Sequence, residues 1–376
     1  PPNDSKVVMQ SGSLIDVSGL ASALLPMERN IIAVELRGNE LRDAPLQRNG
    51  PLRGETVYVD VREGTPLADV SGQIATIQRP LDERLSAGGK VTIVSEGAVV
   101  MQENAVIDVS GGAVRYQDGF LNTTQLVSQG RVYDIGDADP NRPYDGIFGV
   151  YKAEHRKWGV TQTFNLFGAQ GNSRFEAGYV EGKDAGTVGI NAYTLDLQGS
   201  LRGETTAGRH QRLLPASLPA DAAYTRRYDQ VPLGGELILG AEGYSGLQDF
   251  TLRPLAQLGA VGMNRLRVYA NGRITAPEDA DLVFAPGGEL TLAATQVDVD
   301  GDITAHGGRV QINAELGVRL GADARIDVSG QWVNDSEALN PGAAPQGPAF
   351  IHAGSVTVAG TGEVILEGGS VINADG

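Results

Sequence analysis

Cysteine is missing from all 376 residues. That excludes disulfides and thiolate metal sites, and with them a small domain stapled by disulfides. It does not argue for the cytoplasm, because a protein exported unfolded gains from having no thiols to trap. Long apolar runs are missing as well, and no stretch approaches the roughly 20 apolar residues of a membrane span. Positive charge is short: 30 Lys and Arg stand against 46 Asp and Glu, a net charge of −16 with His neutral. Such a surface repels phosphates and anionic headgroups, so no nucleic acid partner and no membrane insertion is expected. The start has no initiator Met, basic n-region or apolar h-region. The chain therefore reads as a segment of a longer polypeptide.

What is abundant is glycine, 51 residues, about twice the usual share. Between the glycines lie short runs of Val, Ile and Thr ended by Gly, Asn or Asp, a pattern of strands and turns. The fullest example is residues 307–330, GGRVQINAELGVRLGADARIDVSG. Val310, Ile312 and Ala314, then Val318 and Leu320, then Ile326 and Val328 fall on one face at period 2. Arg309, Gln311, Arg319 and Asp327 fall on the other. The ending IDVSG recurs at 15–19 and 107–111, and as INADG at 372–376. Residues 88–112 repeat the whole unit, with GGKVTI for GGRVQI. A strand unit that repeats and cannot bury its own face must stack on copies of itself. The fold expected is all-β, a right-handed parallel β-helix with extra-helical insertions. The handedness follows from the right-handed bias of parallel crossovers.

Three tracts are expected. Residues 1–113 are coils with a short helical or loop excursion. A helix or loop is expected at 20–28, and a short helix at 79–85, where Pro80 suits a first turn. Residues 114–179 are an aromatic-rich insertion with a small core of its own, holding 11 of the 21 aromatic residues, including Tyr116, Tyr133, Tyr144 and Trp158. Residues 180–376 return to coils, interrupted near 204–232 and 331–353.

The IDVSG endings resemble the coils of filamentous haemagglutinin-like exoproteins of bacterial two-partner secretion. The block NELRDAPLQRNGPLRGETVYVDVREGTPLADVSG at 39–72 and the segment RYQDGFLNTTQLVSQGRVYDIGDADPNRPYDG at 115–146 share that resemblance, which covers roughly residues 15–158. It implies a large secreted adhesin at the surface of a Gram-negative bacterium, acting in adhesion, biofilm cohesion, virulence or delivery of a terminal toxin. It also implies an outer-membrane transporter as partner. The family's secretion domain carries an Asn-Pro-Asn motif. Asp139-Pro140-Asn141 and Asn340-Pro341-Gly342 are the nearest strings and lack its context, so transporter contact is expected through a domain outside this segment.

Chemistry is sparse. Asp298, Asp300 and Asp302 form the best carboxylate group, as a lyase or glycosidase would need. Alternation puts Asp298 and Asp300 outward beside a turn, where solvated Asp is common. Asp16, Asp108 and Asp327 precede Ser-Gly turns whose backbone they can bond. No Gly-x-Ser-x-Gly elbow, phosphate loop or dinucleotide fingerprint occurs. His155, His210, His306 and His352 lack metal-ligand spacing. Asp137, Asp139, Asn141 and Asp145 match part of a calcium loop, but Arg142 replaces its glycine and Phe148 its last Glu. Calcium is therefore disfavoured, and no cofactor is expected.

The expected role is a non-catalytic shaft segment whose insertions bind host or bacterial glycans or proteins. Tyr144, Trp158, Tyr133 and Tyr116 are the candidate ligand-binding rings, with Tyr144 and Trp158 expected to be partly exposed. Packing of these rings in the insertion's own core is the plainer alternative. A carbohydrate-active β-helix enzyme, or a passive spacer for a C-terminal toxin, is the competing function.

Overall fold

Short β-branched runs separated by glycine leave each strand one apolar face and two unpaired edges, and parallel pairing satisfies both. In the computed structural model, residues 4–155, 157–165, 172–212, 229–243, 246–255, 258–332 and 350–376 are described. Most of the insertions expected at 204–232 and 331–353 lie outside them. The chain is mostly β, with parallel sheets that curl into a half-barrel.

The longest ladder joins Lys90–Val94, Thr187–Asn191, Gly235–Leu239, Met263–Tyr269, Glu289–Val299, Arg309–Leu320 and Ser355–Gly360, all parallel. Its inward positions stack like on like: Val91, Val188, Leu237, Leu266, Leu290 and Val310 are successive partners, all buried. Burying each such side chain is worth about 1.5–3 kcal/mol. Its outward positions alternate in charge over Glu236, Arg265, Glu289 and Arg309, which favours this register over a slipped one.

Shorter parallel ladders repeat the arrangement. Leu282–Val283, Asp302–Thr304, Arg325–Asp327 and Val371–Asn373 form one parallel ladder, and Leu14–Asp16, Val106–Asp108 and Ser200–Arg202 another. The recurrent IDVSG words lie in these two ladders. One apolar cluster runs from Met9 to Val328 inside the stack.

Gly-Gly corners let successive turns of chain approach. A Cβ on Gly308 would overlap the carbonyl oxygen of Gly288, and one on Gly354 would overlap that of Gly308.

The tract 114–179 differs from expectation: its described residues form no separate core. Ile31–Glu35 and Thr56–Asp60 pair as an antiparallel hairpin rather than as a coil. Val34, Leu36, Leu41, Leu52, Val57, Val59 and Leu67 share one cluster with Leu126, Ile135, Tyr144 and Ile147. Tyr58 N donates to Thr124 Oγ1 at 2.8 Å, and Gln47 Nε2 to the Arg142 carbonyl at 2.6 Å. The 39–54 tract and the aromatic tract are thus two halves of one accessory unit. Neither half has enough apolar surface to close a core by itself. The expected 79–85 helix forms as Leu81–Arg84 with Pro80 as its N-cap. The 20–28 tract instead gives the strand Ala23–Leu25 and a 3-10 turn, Met27–Asn30.

Candidate functional site

A third apolar cluster joins the accessory unit to the stack: Ala23, Leu25, Met27, Val114, Tyr116, Leu121 and Tyr179. Tyr179–Gly182 runs antiparallel to Ala113–Tyr116, which places Tyr179 opposite Tyr116 in register. Their rings stack, with centroids 4.7 Å apart and an 18° interplanar angle.

Beside this pair sits Arg62, whose side chain is 6% exposed. Its Nη1 and Nη2 donate to the two oxygens of Glu176 at 2.6 and 2.9 Å. Its Nε and Nη2 donate to Asp60 at 2.9 and 2.6 Å, and its guanidinium lies 5.5 Å from the Tyr179 ring centroid. Burial opposes the charge on Arg62, but its hydrogen bonds to Glu176 and Asp60 outweigh it and hold the pKa above the ordinary value. The same bond to Arg62 holds the Glu176 carboxyl below its usual range, against the opposing effect of burial. Burial pushes the Tyr116 and Tyr179 hydroxyls up. His210, edge-on to Tyr179 at 5.3 Å, is pushed down by burial and then by Arg209. Arg62 therefore ties the hairpin (Asp60) to the aromatic tract (Glu176), directly above the stack.

A cavity of about 770 Å³ opens at this junction. Its lining includes the charged Arg29, Arg62, Arg79, Glu83, Arg84, Glu181, Lys183 and Asp184, with Asn30, Tyr116 and the apolar Val61, Ile74 and Ile77. Lys183 pairs with Glu181, and Arg79 with Glu83 at 3.5 Å. Clefts between units of a chain are where ligands are most often held.

The four candidate rings separate in space. Tyr116 is 7% exposed and lines this cavity. Tyr144, expected to be partly exposed, is 3% exposed and packs in the accessory core. Apolar neighbours from both halves of the unit cover it, and the sequence gives no sign that the first half is near. Tyr133 lies half-buried, edge-on to Tyr144 at 6.2 Å, and its hydroxyl accepts from Arg142 Nη1 at 2.7 Å. Trp158 alone among them stands out, 70% exposed, with Lys157 Nζ 5.7 Å from its ring centroid. It sits in the turn between the antiparallel strands Val150–His155 and Val160–Asn165.

The carboxylates are spent on neighbours. Asp298, expected to be solvated, is 9% exposed and pairs with Arg273 Nε at 3.3 Å. The partner strand brings that arginine over it. Asp300 pairs with Arg319 at 2.9 Å, and Arg319 also reaches Glu367. Asp16, Asp108 and Asp327 accept from the backbone N–H of Ser18, Ser110 and Ser329, each at 2.9 Å, as the turn reading expects. In the suggested calcium loop, Asp139 accepts from Asn141 N at 2.9 Å and Asp145 from Gln129 N at 2.8 Å. Among the described residues no group of three His, Asp or Glu side chains could hold a metal ion.

Sequence reasoning missed Asp60, Arg62 and Glu176. Local pattern gave no sign of them: Asp60 ends the strand Thr56–Asp60 and Arg62 lies in the turn after it, both at positions that alternation puts opposite the apolar Val57 and Val59. Compared with known proteins, the chain matches no family, no curated protein and no solved structure.

Proposed function

We propose that this chain is a non-catalytic shaft segment of a secreted bacterial surface adhesin, resembling the filamentous haemagglutinin-like exoproteins of two-partner secretion. In this reading the parallel sheets are successive coils of a right-handed β-helix. The observation that carries it is the register: strands 20 to 29 residues apart, at Leu237, Leu266, Leu290 and Val310, are direct parallel partners with like residues stacked. A stack of that kind grows along one axis and resists pulling across many hydrogen bonds at once. Engagement of Asp298 and Asp300 by arginines of adjacent strands favours this reading over a carbohydrate-active enzyme.

The accessory unit is the partner-binding part, for a glycan or a protein, and export through an outer-membrane transporter uses a domain outside these residues. Trp158 is its most exposed large ring, and a ring held at a hairpin tip suits stacking on a sugar or seating in a partner pocket. Solution scattering tests the shaft, with a rod-like cross-section expected and a spherical envelope overturning it. For the accessory unit, glycan arrays and bacterial-surface binding are compared for the parent chain and Trp158→Ala. At least an ~tenfold loss is expected, the scale of one hot-spot ring, and full retention of binding removes Trp158 from the site.

A further inference from the structure

From the junction cavity we infer a binding site for an acidic oligosaccharide, a carboxylate-bearing sugar of about two residues. The inference rests on the accessory unit being the partner-binding part of the chain.

Charge comes first. The chain is strongly acidic, yet the cavity is lined by five cationic side chains against three carboxylates. Three of the cations are already engaged: Arg62 by Asp60 and Glu176, Lys183 by Glu181, and Arg79 by Glu83. Arg29 and Arg84 are different. Arg29 donates to the Gln78 carbonyl, and neither has a carboxylate partner among the described residues. Guanidinium groups left in this state, at the mouth of a cleft, present planar donor pairs that suit a carboxylate.

The rest of the lining argues for a sugar acid over a bare phosphate. Glu83, Glu181 and Asp184 repel a compact dianion but accept hydrogen bonds from hydroxyl groups. Val61, Ile74 and Ile77 offer apolar surface to the C–H faces of a pyranose, and Tyr116 adds an aromatic ring. The volume, about 770 Å³, lies in the range of sites that enclose small ligands. The cavity draws its walls from both the accessory unit and the stack, so occupation also bridges the two.

Calorimetric titration of the whole chain with digalacturonate at low salt tests the inference, with galactobiose and inorganic phosphate as parallel arms. Digalacturonate is expected to bind at least ~tenfold more tightly than neutral galactobiose, because only the acid meets the guanidinium groups. Phosphate is expected not to displace it. Arg29→Gln with Arg84→Gln should weaken digalacturonate about tenfold without lowering the melting temperature. Arg84→Gln alone, on the exposed helix face, should give part of the loss. Arg253→Gln, in an exposed pair with Asp279 elsewhere on the stack, should leave binding unchanged. Equal affinity for the two disaccharides, displacement by phosphate, no binding of the acid, or full affinity in the double variant would each overturn the site. The reading the site rests on is tested apart from it, by surface binding of Trp158→Ala, whose ring does not line the cavity, so the two failures are separable.

Discussion

At the scale of single residues, the same side chain type does opposite work in the two parts of the chain. In the stack, Asp16, Asp108 and Asp327 sit at the surface and fold back on the next turn, each accepting a serine N–H. The Ser18 hydroxyl, and then its N–H, lowers the Asp16 pKa, and the Ser329 hydroxyl lowers that of Asp327 against the effect of burial. At the junction, Asp60 is 2% exposed and survives only because Arg62 faces it. Removing one partner of such a pair strands the other's charge in a low-dielectric site. Arg62→Ala is therefore expected to destabilise the accessory unit by about 3–5 kcal/mol, read from denaturant unfolding followed by tyrosine fluorescence. A loss under about 1 kcal/mol, the value of an exposed pair, would mean that Asp60 and Glu176 find water or new partners. The serine-capping role was legible in the word IDVSG, since the bond is two residues long. The Arg62 bridge was not: Glu176 lies 114 residues away, and no local pattern reports on that distance.

At the scale of elements, glycine sets how closely the stack closes. Gly288, Gly308 and Gly354 meet at one corner, backbone against backbone. A methyl group there cannot swing aside, because the atom it meets is a carbonyl oxygen held in the main chain. Gly308→Ala is expected to cost about 1–3 kcal/mol, the range of overpacked cores, and to widen the strand spacing locally. Gly368→Ala, with nothing within 4 Å of the added atom, should change stability by no more than about 0.5 kcal/mol. Parallel thermal melts of the two variants make the comparison, and an equal effect would remove the corner from the account. The glycine before each of these strands, doubled at 287–288 and 307–308, made the positions visible in the sequence. Their reason was not visible, because close approach belongs to two turns of chain and not to one. The hairpin of Ile31–Glu35 and Thr56–Asp60 shows the converse. Its alternation matches that of a coil strand, and only its partner distinguishes an antiparallel hairpin from a step in the stack.

At the scale of the molecule, the two halves of the accessory unit are tied to each other by a small number of titratable contacts. Glu176 has a folded pKa below its ordinary 4.5, chiefly through its bond to Arg62. Its stabilising effect is present above that ordinary value and is lost as pH falls through the lower, folded one. His210 is held below 6.5 by burial and then by Arg209. Its neutral form is the one the fold favours, so protonation below that value works in the same direction. Acidification from about pH 7 to about pH 3 is therefore expected to loosen residues 31–75 and 119–147 before the stack, whose core is aliphatic. Hydrogen exchange at several pH values reads this directly. Simultaneous loss of protection in the strand Arg309–Leu320 would show that the junction clamp does not act alone.

The sequence by itself determined the strands, the parallel stacking and the corners, because each follows from period-2 alternation and turn chemistry within about 25 residues, and each recurs. It also determined that, without cysteine, there are no thiolate sites. Only the tertiary structure decided that residues 31–75 and 114–147 close one core, that Tyr144 lies inside it and Trp158 outside, and that Arg62 bridges two carboxylates above a cavity. Those outcomes depend on which apolar faces find each other across about a hundred residues of chain. That choice is made by the free energy of the whole packed interior, to which no single stretch of sequence is a guide.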